Sequence, residues 1–395
     1  MNRSLKLPIS IYILSIVGFF FGFSYLMINP ILPIYCVSKV NANLGEVAII
    51  VAIGSLASAF AKFIIGFLVS VRRSLDVLLF GLILFTICNY FYVLVSIPQH
   101  LMTVRFIHGI SLGIIITLAL SLVSLIAGKG HRGRSISFYL AFVTLGLMSG
   151  PAVGSIIIEF WGIEYIFYVL SFLGLIPIFL VMHLVYENRR IQGSKPDESS
   201  HIRFQKFFFN HEMVIPIFVY LSYAIFFGTL NTYMPIYLNI NLELSAQSVS
   251  ATFFGLFLFA AIVRLKLDYI MRKIGDTTGM IFGFLNYICL SLLMYIVPIK
   301  YLIISSVALI GLSHGIIFPL LAIRVSRTVP YEKLIIANSF FLIAFDAGAF
   351  IGPTSTSIIA EYYNIPLAII ASLLPALVIL PLIIYQRAHA KEELS

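Results

Sequence analysis

Charge is the scarcest ingredient of this 395-residue chain: only 10% of its residues are Asp, Glu, Lys or Arg, while 61% are hydrophobic. A soluble domain carries roughly 25% charged residues, so most of this surface is not built to face water. Cysteine is also scarce. Three residues, Cys36, Cys88 and Cys289, are too few for a disulfide framework, and all three are expected to pack. No phosphate-binding loop stands in the polar stretches, and no acid–base or metal-ligand cluster rises above background. An enzyme is therefore not expected, nor is any cofactor. The first apolar run lacks a small-residue cleavage site, so it is expected to stay as a helix. Acidic residues are missing from the interior of the first half: Glu46, Asp76, Glu159 and Glu164 all fall near the ends of apolar runs.

What is present is apolar length. A spanning helix needs about 20 apolar residues, and twelve segments satisfy this: 9–35, 46–69, 76–97, 101–127, 135–158, 163–186, 212–237, 246–270, 277–297, 301–323, 334–360 and 365–385. The expected fold is an all-α polytopic membrane protein. The most polar stretch, Glu187 to His211, reads as a linker. It divides the chain into a bundle at 1–188, a linker at 189–211 and a second bundle at 212–395.

The net charge of +9 does not point to nucleic acid, because of where it sits. Nineteen Lys and Arg residues fall on one side of the alternating spans; only Lys39 and Lys300 fall on the other. Lys/Arg-rich short loops stay in the cytoplasm. The chain is thus expected in the cell inner (plasma) membrane, with both termini and the linker cytoplasmic.

The halves repeat. Asn29-Pro30-Ile31-Leu32-Pro33-Ile34-Tyr35 is echoed by Asn231-Thr232-Tyr233-Met234-Pro235-Ile236-Tyr237, 202 positions on. Gly146-Leu147-Met148-Ser149-Gly150-Pro151 is echoed at the same offset by Gly348-Ala349-Phe350-Ile351-Gly352-Pro353. His108-Gly109 and His314-Gly315 form a third match at a slightly larger offset. Parallel six-helix repeats related by an axis along the membrane normal are the architecture of alternating-access transporters.

These residues resemble the major facilitator superfamily, and within it the twelve-helix drug/proton antiporter-like exporters. Gly146-x-x-x-Gly150-Pro151-x-x-Gly154 looks like the antiporter motif of that group and implies export. Arg105-x-x-x-Gly109 looks like the fourth-span motif whose arginine is linked to proton transfer or substrate coupling. The loop after the second span, where the family has Gly-x-Leu-x-Asp-Arg-x-Gly-Arg, reads Gly66-Phe67-Leu68-Val69-Ser70-Val71-Arg72-Arg73, with Ser70 in the acidic place. In the second-half copy Asp268 stands for the glycine and Arg272 for the aspartate, while Gly275 keeps its place. The usual charge latch is therefore altered. An i,i+4 pair of Arg264 with Asp268 on one helix face is expected instead.

The resemblance implies a fold of two pseudo-symmetric six-helix bundles, and a monomer exporting a small molecule, a drug or a metabolite, against protons. Proton-coupled uptake of a sugar or other metabolite by the same fold is the alternative. A membrane sensor and a lipid enzyme are the remaining classes; twelve spans with little soluble surface disfavour both. Asp346, the only acid near the middle of a span, is the first candidate for coupling, because intramembrane carboxylates mark pathways or relays. His314 and His108 follow, with Arg105. Asn29, Tyr25, Asn231, Tyr233, Arg105 and His314 are the expected cavity residues, and Gly352 and Pro353 the expected hinge beside Asp346. The shortage of interior acids disfavours a lipophilic-cation substrate and leaves anionic, zwitterionic or neutral ones, which Arg105, Lys62 and the two histidines would suit.

Overall fold

The computed structural model describes residues 7–69, 73–192, 211–328 and 334–392. They form α1 (Ile9–Ile28), α2 (Leu32–Val40), α3 (Leu44–Leu68), α4 (Ser74–Leu94), α5 (Pro98–Ile126), α6 (Gly128–Trp161), α7 (Glu164–Leu173) and α8 (Leu175–Gln192) in the first half. The second half holds α9 (His211–Ile236), α10 (Ala246–Leu265), α11 (Leu267–Ile274), α12 (Asp276–Ile296), α13 (Lys300–Thr328), α14 (Leu334–Tyr362), α15 (Ile365–Ala371) and α16 (Leu374–Glu392). Among the described residues, twelve segments are long and apolar enough to cross a membrane. Large apolar side chains stand on the outside, among them Phe172 at 72% exposed, Val378 at 68% and Phe179 at 65%. In water such a surface would drive association; against acyl chains it is at rest.

Several expected single spans are interrupted, each for a local reason. The first breaks at Asn29–Ile31, where Pro30 and Pro33 remove backbone donors, and restarts as α2. The sixth breaks at Gly174, and the twelfth at Ser372–Leu373. The seventh ends in a π-helical turn, Tyr237–Asn241, just after Pro235. The eighth, expected to reach residue 270, stops at Leu265; Lys266 leaves helical geometry and α11 starts afresh. Arg264 and Asp268 therefore do not share one uninterrupted helix. Around the expected linker, α8 continues to Gln192 and α9 begins at His211.

Caps fix the ends remote from the termini. Asn43 and Glu46 form a reciprocal capping box at the start of α3, Ser245 accepts from Ser248 N at α10, and Asn364 accepts from Leu367 N at α15. Each satisfies backbone donors that a helix start leaves unpaired. Gly275 carries the chain into α12 at φ 81°, a conformation in which a side chain would be strained.

Close helix contacts show the internal repeat. A Cβ on Gly109 would run into Gly54 O, and one on Gly311 into Leu256 O. Gly113 lies on Ser58 O and Gly315 on Ala260 O; Gly146 on Phe19 O and Gly348 on Leu221 O; Gly150 on Phe23 O and Gly352 on Ile225 O. In every pairing both partners shift by 202 positions. Small residues let helix backbones approach where no hydrophobic drive exists between them, and the two halves use the same small residues at the same places. This register corrects the matching of His108 with His314. At an offset of 202, Gly109 corresponds to Gly311, so the two histidines sit about one helical turn apart in the repeat. Cys289 also departs from expectation: it is exposed, while Cys36 and Cys88 are buried.

Candidate functional site: a buried ion pair joining the two halves

α3 and α14 pack against each other across the two halves. Near the ends remote from the termini, Glu361 Oε2 lies against Gly45. Further in, Lys62 Nζ reaches Asp346 Oδ2 at 2.6 Å, with side chains only 6% and 10% exposed. Ser58, one turn before Lys62, stands on the same helix and is buried. Lys62 lies 17 residues from Gly45, so this interface runs for about 25 Å at roughly 1.5 Å per residue. A second contact between halves links α6 and α10: Ser250 Oγ donates to Pro151 O at 2.8 Å, and Gln247 Nε2 donates to Glu159 at 2.8 Å. Pro151 thus gives α10 its anchor, and Gly154 lies against Met27 and Ser250.

Around the pair stand polar groups from other spans. Tyr25 of α1 is near enough to feel the charges of both Arg105 and Asp346. Tyr220 of α9 interacts with Asp346, Arg264 and Tyr25. Arg264, at the last turn of α10, lies 5.8 Å from the centre of the Phe318 ring, and its Nε has no hydrogen-bond partner. Lys62 and Arg264 are themselves 202 positions apart.

Arg105 is 5% exposed and packs edge-on against Gly54, where a Cβ would lie 2.6 Å from its Nε. That Nε is buried and unpartnered, while Nη1 is 3.4 Å from His108 Nδ1. The Tyr92 hydroxyl is 2.9 Å from the same Nδ1. Arginine can only donate, so His108 Nδ1 accepts and its proton sits on Nε2, which is buried without a partner. His108 is 1% exposed and wedged against Phe85 at 4.7 Å. His314 bonds Tyr223 at 2.9 Å through Nδ1 and stacks on Phe227 at 4.5 Å and 7°. Each histidine is held within its own half.

The remaining expected residues divide. Tyr233 is fully buried and donates to Pro353 O at 2.8 Å, tying α9 to α14 instead of lining a cavity. Asn231 keeps a buried Oδ1 without a partner. Arg73 is exposed at the start of α4, with no side-chain cap. Ser70 and Arg72, and the side chains at Gly66, Asp268 and Arg272, lie outside what is described. No cluster of metal-ligating side chains occurs among the described residues. Sequence reasoning places Lys62 only as a general cation, and Ser58 and Tyr220 not at all; nothing in the local sequence announces which helix of the other half faces them.

The fold and the buried charges are those of a membrane transporter. The pattern of the Major Facilitator Superfamily matches residues 14–353, and the chain belongs to that family. It is 22% identical over 370 residues to an uncharacterized MFS-type transporter of Methanocaldococcus jannaschii, covering 91% of this chain and 93% of that one. It is 20% identical over 258 residues to the quinolone resistance protein NorA of Staphylococcus aureus, covering 64% of each. Among solved structures, the nucleoside transporter NupG superposes with a TM-score of 0.74 at 13% identity, covering 95% of this chain and 98% of that one. The peptide transporter POT gives 0.73 at 13% identity, covering 97% and 96%. The protein is a multi-pass secondary transporter of small molecules, not an enzyme.

Proposed function

We propose that this transporter exports a small organic molecule, a drug or a metabolite, in exchange for protons, by alternating access between an N-terminal bundle (1–188) and a C-terminal bundle (212–395). The observation that carries this reading is the Lys62–Asp346 pair, a buried ionic bond between the two halves. A charge inside a membrane protein needs a partner or water. Adding a proton to Asp346 removes the attraction and leaves Lys62 to find water as the interface opens. Releasing the proton restores the pair and the closed interface. A ligand shifts such an equilibrium only as far as its preference for one state allows, so substrate and proton act on the same interface from opposite directions.

Export is supported by Gly146-x-x-x-Gly150-Pro151-x-x-Gly154, which sits where α6 packs on α1 and holds α10. The resemblance to a quinolone resistance protein points the same way. Nineteen basic residues on one side of the membrane support cytoplasmic termini in the cell's inner (plasma) membrane. The protein acts as a monomer in the bilayer, with protons and a small-molecule substrate as its partners. Arg105 and the histidines then serve the pathway's electrostatics, with Asp346 as the group that exchanges the proton.

The test is transport in liposomes that hold a pH-sensitive dye. A panel of drugs and metabolites is added under an imposed proton gradient, to wild type and to Asp346→Asn. A compound that moves protons with wild type and not with the variant is the expected result. Equal proton movement in both would remove Asp346 from the coupling step. Co-directional movement of proton and compound would replace export by uptake.

A further inference from the structure

Among the described residues, Lys62, Arg105 and, at the end of α10, Arg264 stand within the spans, and Asp346 is the carboxylate furthest from a span end. Lys62 and Asp346 neutralise each other. Neither arginine has an acid beside it among the described residues. Arg105 faces Gly54, Tyr92 and His108, none of them anionic. Arg264 faces Phe318, Tyr220 and Tyr223. Both carry an Nε with no hydrogen-bond partner. Two uncompensated positive charges at membrane depth are expensive, and leaving a charged donor unpaired costs more than never making the bond.

The repeat says what is missing. At the offset of 202, Lys62 corresponds to Arg264 and Asp346 to Thr144. The cation of the cross-half pair is present in both copies; the carboxylate is present in one. Thr144 spends its hydroxyl on Leu140 O of its own helix, at 2.8 Å. The second copy of the bridge between halves therefore has its base and lacks its acid. Beside Arg264 lies an aromatic group: Tyr220 stacks on Phe341 at 4.3 Å and on Phe345 at 5.3 Å, and Phe318 lies 5.8 Å from Tyr220. Phe318 and Phe345 are only partly covered.

We propose that the substrate supplies the missing acid: it is an organic anion with an aromatic body, whose carboxylate-like group binds Arg264 while its ring lies against Phe318 and Phe345. Arg105 provides balancing charge from the other half, linked to the same cluster through Tyr25 and Tyr220. Substrate at Arg264 and proton at Asp346 then occupy the two repeat-related bridges. This deepens the export reading above and rests on the same interface.

Three matched probes test it on purified full-length protein by equilibrium dialysis: 1-naphthoate, 1-naphthylmethylammonium and 1-naphthalenemethanol. Wild type is expected to bind the anion at least about 10-fold more tightly than the cation or the alcohol, as a charge-assisted hydrogen bond implies. Arg264→Gln is expected to lose roughly 10- to 100-fold for naphthoate alone, and Arg264→Lys to retain most of it. Equal affinity for the three probes, or no naphthoate binding up to about 10 mM, overturns the proposal whatever the variants do. So does an Arg264→Gln protein that binds naphthoate like wild type. Asp346→Asn separates this from proton coupling: it is expected to keep the preference for the anion. A wild type that prefers the anion through Arg264 but moves no protons against it would reject the antiport reading and leave the anion site standing.

Discussion

Removing one member of the Lys62–Asp346 pair should hurt more than removing both. The side chains are 6% and 10% exposed, so neither charge has bulk water to fall back on. Breaking a buried pair by deleting one partner typically costs about 3–5 kcal/mol, because the survivor is left uncompensated, whereas replacing both by apolar residues of similar size is often neutral or better. Asp346→Asn keeps the shape and a weak acceptor, so it should fall near the lower end; Asp346→Leu should fall near the upper. Lys62→Met alone leaves the carboxylate without its cation and should cost a similar amount. The double variant Lys62→Met with Asp346→Leu should lie within about 1 kcal/mol of wild type. Midpoint shifts scale inversely with chain size, and roughly 2–4 °C per kcal/mol holds for about 150–250 residues. For this longer chain the single variants should lower the midpoint in detergent by about 3–10 °C, and the double variant should recover most of it. The expected coupling in the cycle is then about 5–11 kcal/mol in magnitude, the sum of the two single losses less that of the double variant. Additive losses would refute the reasoning, since they would mean that the two side chains do not sense one another. Transport distinguishes the variants further. The double variant should be stable yet uncoupled, because it closes the interface without a proton.

Two further perturbations test the packing and the charge logic. Gly109→Ala and Gly311→Ala each push a methyl into a backbone carbonyl of the neighbouring helix; both should destabilise by about 1–3 kcal/mol, by similar amounts in the two halves, as read from thermal midpoints. Lys39 and Glu164 also form an ion pair, but at 33% and 43% exposure, so Lys39→Met should change stability by no more than about 1 kcal/mol, in contrast to Lys62→Met under the same assay.

Much of the architecture was legible because a membrane limits the choices. Apolar length marks the spans. The offset between Asn29 and Asn231, and between Gly146 and Gly348, reappears in the helix contacts, where both partners of each glycine approach shift together. The interruptions were less legible: Pro30 and Pro33 announce a kink, but neither says that a new helix begins at Leu32. The site was half visible. Asp346 stands out as a lone acid in an apolar run, yet its partner lies 284 residues away, and only the packing of α3 on α14 brings Lys62 to it. Local spacing misled at the histidines: the His-Gly dipeptides suggested equivalent positions, whereas glycine contacts set the register one turn away. Arg264 and Asp268 have i,i+4 spacing; Lys266 ends α10 between them, and the side chain of Asp268 lies outside the described residues. Tyr233, itself an expected cavity residue, spends its hydroxyl on Pro353.

The central claim is that the charge on Asp346 holds the two halves together along α3 and α14. Spin labels at Ile49→Cys and Ile358→Cys, both exposed positions on those helices, in a protein with Cys36, Cys88 and Cys289 replaced, report that separation by double electron–electron resonance. On acidification, protonation of Asp346 in the proposed cycle should shift the wild-type distance distribution toward a second population. In Asp346→Asn that second population should be present at every pH. A distribution that ignores pH and is the same in both proteins would contradict the account.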